Sequence, residues 1–146
     1  MKKSCEHFAT ILEHRYLPQA LCLFESLQAN FGSIKLWVVC IDREAYEIVE
    51  ALNVDELTAI LLSDVAPLEL LATRDERTVG EFCWTATPFI PDIVFSLDSS
   101  IGRVTYVDAD VWVYQRMDAV FEKFEESGRA VMITPHNYSP SEDQSD

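Results

Sequence analysis

The sequence has no basic cluster. Its eleven lysines and arginines are scattered among twenty-five acidic residues, giving a formal net charge of -14 and a pI of about 4.4. A chain this acidic repels nucleic acid and anionic membranes, so neither is an expected partner. No apolar run approaches membrane-spanning length, and no transmembrane segment is expected. The four cysteines, Cys5, Cys22, Cys40 and Cys83, match no zinc spacing and no CxxC pattern. Set among apolar neighbours, they read as buried thiols. Met1-Lys2-Lys3 opens like a signal sequence, but Glu6, His7 and Glu13 interrupt any apolar core. Free thiols without a signal peptide point to a reducing cytoplasm. There is no internal repeat, and no low-complexity segment before the polar end.

The chain does have the apolar content of a folded domain. Of 146 residues, 49% are hydrophobic and 25% charged, enough for one domain with a sizeable core. That domain is expected over 1–136, with 137–146 as a polar tail.

The order of segments is that of an α/β protein. Residues 7–12 (HFATIL) read as a first strand and 13–15 as the loop after it. Tyr16 then opens a helix that tolerates Pro18 in its first turn. Leu17, Ala20, Leu21, Phe24 and Leu27 form its apolar face, and Gly32 follows its end. Residues 34–41 are nearly all apolar, as in a parallel strand covered on both faces. Asp42 caps a helix over 43–52, and a third strand is expected at 58–62. Pro67 starts a short helix. Thr78 and Glu81 make a capping box for another, which Pro88 and Pro91 kink or divide; its Trp84 reads as core. Asp118 is expected to cap a helix with Val120, Phe121 and Phe124 facing inward, and 129–134 to form a last strand. Repeated strand–helix–strand units of this kind predict a mostly parallel sheet with helices on both faces.

Residues 103–114 (RVTYVDADVWVY) carry the strongest functional signal. Val104, Tyr106 and Val107 suit a buried strand. It runs into Asp108-Ala109-Asp110, and a hydrophobic piece, 111–114, follows. Two carboxylates one residue apart, at the carboxyl edge of a sheet, lie where open α/β sheets bind ligands. In extended or turn geometry both can face one ion. Their hard oxygens suit Mg²⁺ or Mn²⁺, which would bridge to phosphate. The competing reading is that the aspartates cap a turn. Their mutual repulsion argues for a neutralising cation.

Three segments in order resemble the nucleotide half of GT-A glycosyltransferases, closest to the glycogenin-like, retaining branch and its bacterial relatives. They are 9–27 (ATILEHRYLPQALCLFESL), 81–89 (EFCWTATPF) and 103–110 (RVTYVDAD). The resemblance implies a three-layer, Rossmann-like GT-A sheet, present here only as its N-terminal part. It implies that Thr10, Leu12 and Glu13 contact uracil and ribose, that Tyr16 packs against the base, and that Arg77 lies near the sugar or diphosphate. It also implies that Asp108 contacts ribose and metal, that Ala109 contributes backbone beside it, and that Asp110 is the principal metal ligand. Where relatives often have a lysine before the proline, this chain has Thr87-Pro88. The branch's second half supplies the acceptor site and a third metal ligand, usually histidine. His7 and His14 read as surface or strand residues, and His136 as a loop residue near the acceptor's entry.

The implied function is transfer of a sugar from a nucleotide-diphosphate sugar, a UDP-sugar favoured, to an unknown acceptor. A metal would stabilise the departing diphosphate. Same-face transfer needs no side-chain nucleophile. The alternative is a truncated or vestigial module that binds nucleotide or a protein partner without catalysis; an exposed sheet edge or apolar face would favour a homodimer. A haloacid-dehalogenase-type phosphatase also uses a DxD after a strand. Such an enzyme needs a downstream lysine, and Lys123, the sole lysine after Asp110, is too close.

Overall fold

The computed structural model describes residues 5–134. The chain divides into two compact units, Met1–Gln115 and Arg116–Asp146. In the first unit, β1 (Glu6–Leu12) leads through a 3-10 turn (His14–Tyr16) into α1 (Leu17–Phe31). Next come β2 (Ile34–Cys40), α2 (Arg43–Leu52) and β3 (Leu57–Leu61). Two short helices follow, α3 (Leu62–Val65) and α4 (Leu68–Ala72). Then α5 (Val79–Ala86) and α6 (Ile90–Leu97) precede β4 (Thr105–Tyr106). The sheet order is β3-β2-β1-β4, and every pair is parallel. This is an α/β, Rossmann-like fold.

Alternation along the strands sends side chains to both faces. Ala9, Ile11, Trp37, Val39 and Ile60 pack on one side with Leu70, Phe82, Ile90 and Val94 from α4, α5 and α6. On the other side Phe8 meets Phe31 of α1 edge to face at 5.1 Å. In α1 the buried face is Leu17, Ala20, Leu23, Phe24 and Leu27, with Leu23 fully enclosed and Leu21 only half-buried. Each such leucine contributes about 1.5–3 kcal/mol by burial.

Several caps form as their residues dictate. The Asp42 side chain accepts the Ala45 N–H at the start of α2, and Thr78 and Glu81 close a reciprocal capping box on α5. The α5 pattern is divided by a 3-10 turn at Thr87–Phe89, where Pro88 cannot donate to the helix.

Other expectations are corrected. Leu62 opens α3 and does not end β3. Trp84 points outward, 75% exposed. Of the four free cysteines, Cys40 is buried and Cys83 half-buried, but Cys5 and Cys22 are exposed. The second unit contains α7 (Asp118–Ser127), with Phe121 buried, Phe124 half-buried and Val120 exposed. Met117, not Asp118, stands at its N-cap; Arg116 engages both carboxylate oxygens of Asp118, at 2.6 and 2.7 Å. Residues 129–134 form no strand. Among the described residues of that unit no other strand offers the backbone partners a strand needs. His136 and the tail lie outside the described residues. Among the described residues no helix is long and apolar enough to cross a membrane.

Candidate functional site

The sheet order determines where a site can form. Successive strands run β1, β2, β3 in one direction, and β4 then returns to the other side of β1. The edge between the carboxyl ends of β1 and β4 is therefore the topological switch point, where ligands bind in open α/β sheets. Phe8 pairs with Thr105 and Ala9 with Tyr106, and the Val107 N–H donates to the Ala9 carbonyl at 2.9 Å. Asp108 to Asp110 follow directly, beside the end of β1.

The acidic pair sits on a tight turn. The Val111 N–H donates to the Asp108 carbonyl at 3.2 Å, closing it around Ala109 and Asp110. Ala109 is buried, while Asp108 and Asp110 are exposed. The Tyr106 hydroxyl donates to Asp108 Oδ1 at 2.8 Å. Tyr106 and Asp108 alternate along the chain, and that spacing was a sequence signal for this contact. Burial, with the Asp108 carboxylate beside it, pushes the Tyr106 phenol well above its ordinary range, so it stays a donor. The Thr87 hydroxyl lies 3.4 Å from the Tyr106 hydroxyl, so position 87 is one side chain removed from Asp108.

The piece after the turn is ordered by side chains rather than by strand pairing. The Val113 N–H donates to Ser26 Oγ at 3.1 Å, and Asn30 Nδ2 donates to the Val113 carbonyl at 2.8 Å. Both residues come from α1, and Ser26 is fully buried. Val111, Trp112 and Tyr114 are exposed, which a buried strand would not allow.

At the end of β1 the predicted residues differ in access. Thr10 is wholly enclosed and its hydroxyl has no hydrogen-bond partner among the described residues; Leu12 is also buried. As they stand, neither offers surface to a ligand. Glu13 is 7% exposed and its carboxylate pairs with Arg15. Tyr16, at the end of the 3-10 turn, is 47% exposed.

Arg74 was not picked out from the sequence. Its guanidinium donates to the Ile41 carbonyl at 2.8 Å, just past β2, and lies 5.6 Å from the Phe82 ring. The Cys83 thiol is raised by burial and by Glu13 and lowered by Arg74, so it senses both charges. The Ile41 N–H in turn donates to the Leu12 carbonyl at 3.0 Å, which puts Arg74 at the carboxyl edge of the sheet beside the end of β1. Arg77 is exposed, and its field falls on Glu81 at the α5 cap.

The residues present allow a limited metal fit. Among the described residues no three histidine, cysteine or acidic side chains converge as a metal cage. Asp108 and Asp110 supply two hard carboxylates. Mg²⁺-type ions are often held by one or two carboxylates plus water and phosphate, and that mode fits this donor set.

No protein-family model matches the chain. It is 27% identical over 115 residues to the uncharacterized protein YfnF of Bacillus subtilis (strain 168), covering 79% of this chain and 38% of that protein. It is 26% identical over 134 residues to the uncharacterized protein YfnD of the same organism, covering 92% of this chain and 42% of that protein. The chain thus spans well under half the length of these relatives.

Proposed function

We propose that this chain is the nucleotide-binding part of a GT-A-like, metal-dependent glycosyltransferase that binds a nucleotide-diphosphate sugar, a UDP-sugar favoured. The observation that carries the reading is the shared edge. The end of β1, with Glu13 and Tyr16, and the Asp108–Asp110 turn after β4 flank one switch point.

Each residue has a role that its surroundings permit. The exposed ring of Tyr16 offers a stacking face for the base. Asp108, oriented by Tyr106, and Asp110 would hold Mn²⁺ or Mg²⁺. The ion, when bound, offsets charge on the departing diphosphate. Arg74 adds a fixed cation near the same edge. The exposed free thiols of Cys5 and Cys22 fit a reducing, cytoplasmic setting.

Calorimetric titration of UDP, with Mn²⁺ and then with EDTA, tests the proposal. Binding that requires the metal is the expected result. Absence of binding in both conditions would sink the nucleotide reading for this chain and favour a vestigial or partner-completed module.

A further inference from the structure

We infer that Asp42 is a positioning residue for the turn that carries Tyr16, and that it sets nucleotide affinity separately from its role as the cap of α2. The inference rests on the nucleotide reading above.

The Asp42 carboxylate divides its two oxygens between two elements. Oδ1 accepts the Ala45 N–H at 2.8 Å and caps α2. Oδ2 accepts the His14 backbone N–H at 2.9 Å and lies 3.4 Å from His14 Nδ1. His14 opens the 3-10 turn His14–Tyr16, so one carboxylate ties that turn to α2 across a separation of 28 residues. Within the turn itself the Tyr16 N–H donates to the Glu13 carbonyl at 3.0 Å, and the Leu17 N–H donates to the His14 carbonyl. Glu44 lies farther from the imidazole, at 3.7 Å. Burial pushes the Asp42 carboxyl up, but the Ala45 and His14 donors outweigh it and hold the group below its ordinary value.

Only a carboxylate can accept from both backbone donors. An asparagine has one acceptor oxygen, and a serine reaches only the cap; both remain good N-cap residues. This separates the two roles. Asp42→Asn and Asp42→Ser keep the α2 cap and lose the His14 tether, while Asp42→Ala loses both.

Two readouts are needed on the full chain. The first is amide hydrogen exchange. In Asp42→Asn and Asp42→Ser the His14 amide should exchange about tenfold faster while Ala45 stays protected. The second is UDP titration with Mn²⁺, where both variants should bind about tenfold more weakly than the parent while the melting temperature falls by only a few degrees. Asp42→Ala, which also loses the cap, should melt lower still. Unchanged His14 exchange overturns the tether. Faster exchange with parental UDP affinity overturns the positioning role. A parent chain that binds no UDP overturns the nucleotide reading and this affinity role with it, and the exchange result then reports on the tether alone.

Discussion

The amino and carboxyl ends of the same parallel strands are furnished differently. At the amino end, Arg103 bonds Glu6 at 2.5 Å, with both side chains more than four-fifths buried. The Trp37 indole N–H donates to His7 Nδ1 at 3.2 Å, and Lys35 lies 4.9 Å from the Trp37 ring. At the carboxyl end, Asp108 accepts one tyrosine hydroxyl, and among the described residues Asp110 has no hydrogen bond or ion pair. These amino-end contacts join β1 to β2 and to the segment that leads into β4. The open carboxylates of the Asp108–Asp110 turn at the other end repel each other unless a cation lies between them. The difference separates what holds the sheet together from what is left for a ligand.

The most direct way to break this comparison is Asp110→Ala. Metal-dependent UDP binding should fall by about a hundredfold or more, because among the described residues the turn offers two carboxylates and one of them is removed. Stability should hold or rise slightly, since a repulsive charge is removed. Parental affinity in the variant would mean that the open carboxylates are surface ornament, and the contrast between the two ends would lose its functional meaning.

A smaller effect sharpens the same edge. Arg74→Ala should weaken UDP binding by about tenfold, and Arg77→Ala by about twofold or less. The first cation is fixed at the end of β2, next to the end of β1; the second is exposed beside Glu81. Equal losses in the two titrations would give Arg77 the same part in binding as Arg74.

Much of this architecture is readable from residues, and the unread parts have physical causes. The strands β1 and β2 and helix α1 follow from apolar runs and helical spacing, because most such residues there are buried, whereas α2 is marked by its Asp42 cap and buries only Ala45 and Val49. β4 is hard to read because only Thr105 and Tyr106 pair. The segment after it looks like a strand by composition, yet it is fixed by Ser26 and Asn30, more than eighty positions away. The acidic pair was legible as two carboxylates at the sheet edge because its spacing survives in a turn. Arg74 was not, since nothing local distinguishes it from Arg77; only the fold brings it to Ile41 and Phe82. Trp84 misleads because hydrophobicity does not fix the direction in which a helix presents a side chain.

The amino end offers the last and smallest test, through pH. Burial, the largest cause, holds the His7 imidazole below its ordinary value of 6.5; Lys35 lowers it further, while Asp98 and Glu6 pull it up. Nδ1 must be unprotonated to accept the Trp37 N–H. Above pH 6.5 the imidazole is mostly neutral in both folded and unfolded chains, and this contribution to stability is complete. As pH falls below that value the unfolded chain takes up the proton first, so stability declines until the folded imidazole also titrates. Between about pH 7 and about pH 5.5, before most carboxylates titrate, the melting temperature should therefore drop more in the parent than in His7→Gln, which can still accept from Trp37 but carries no proton switch. His14 and His136 are present in both chains and cancel in the difference. Identical slopes would mean that the His7–Trp37 contact tolerates protonation, and the amino end would then be less tightly satisfied than its geometry indicates.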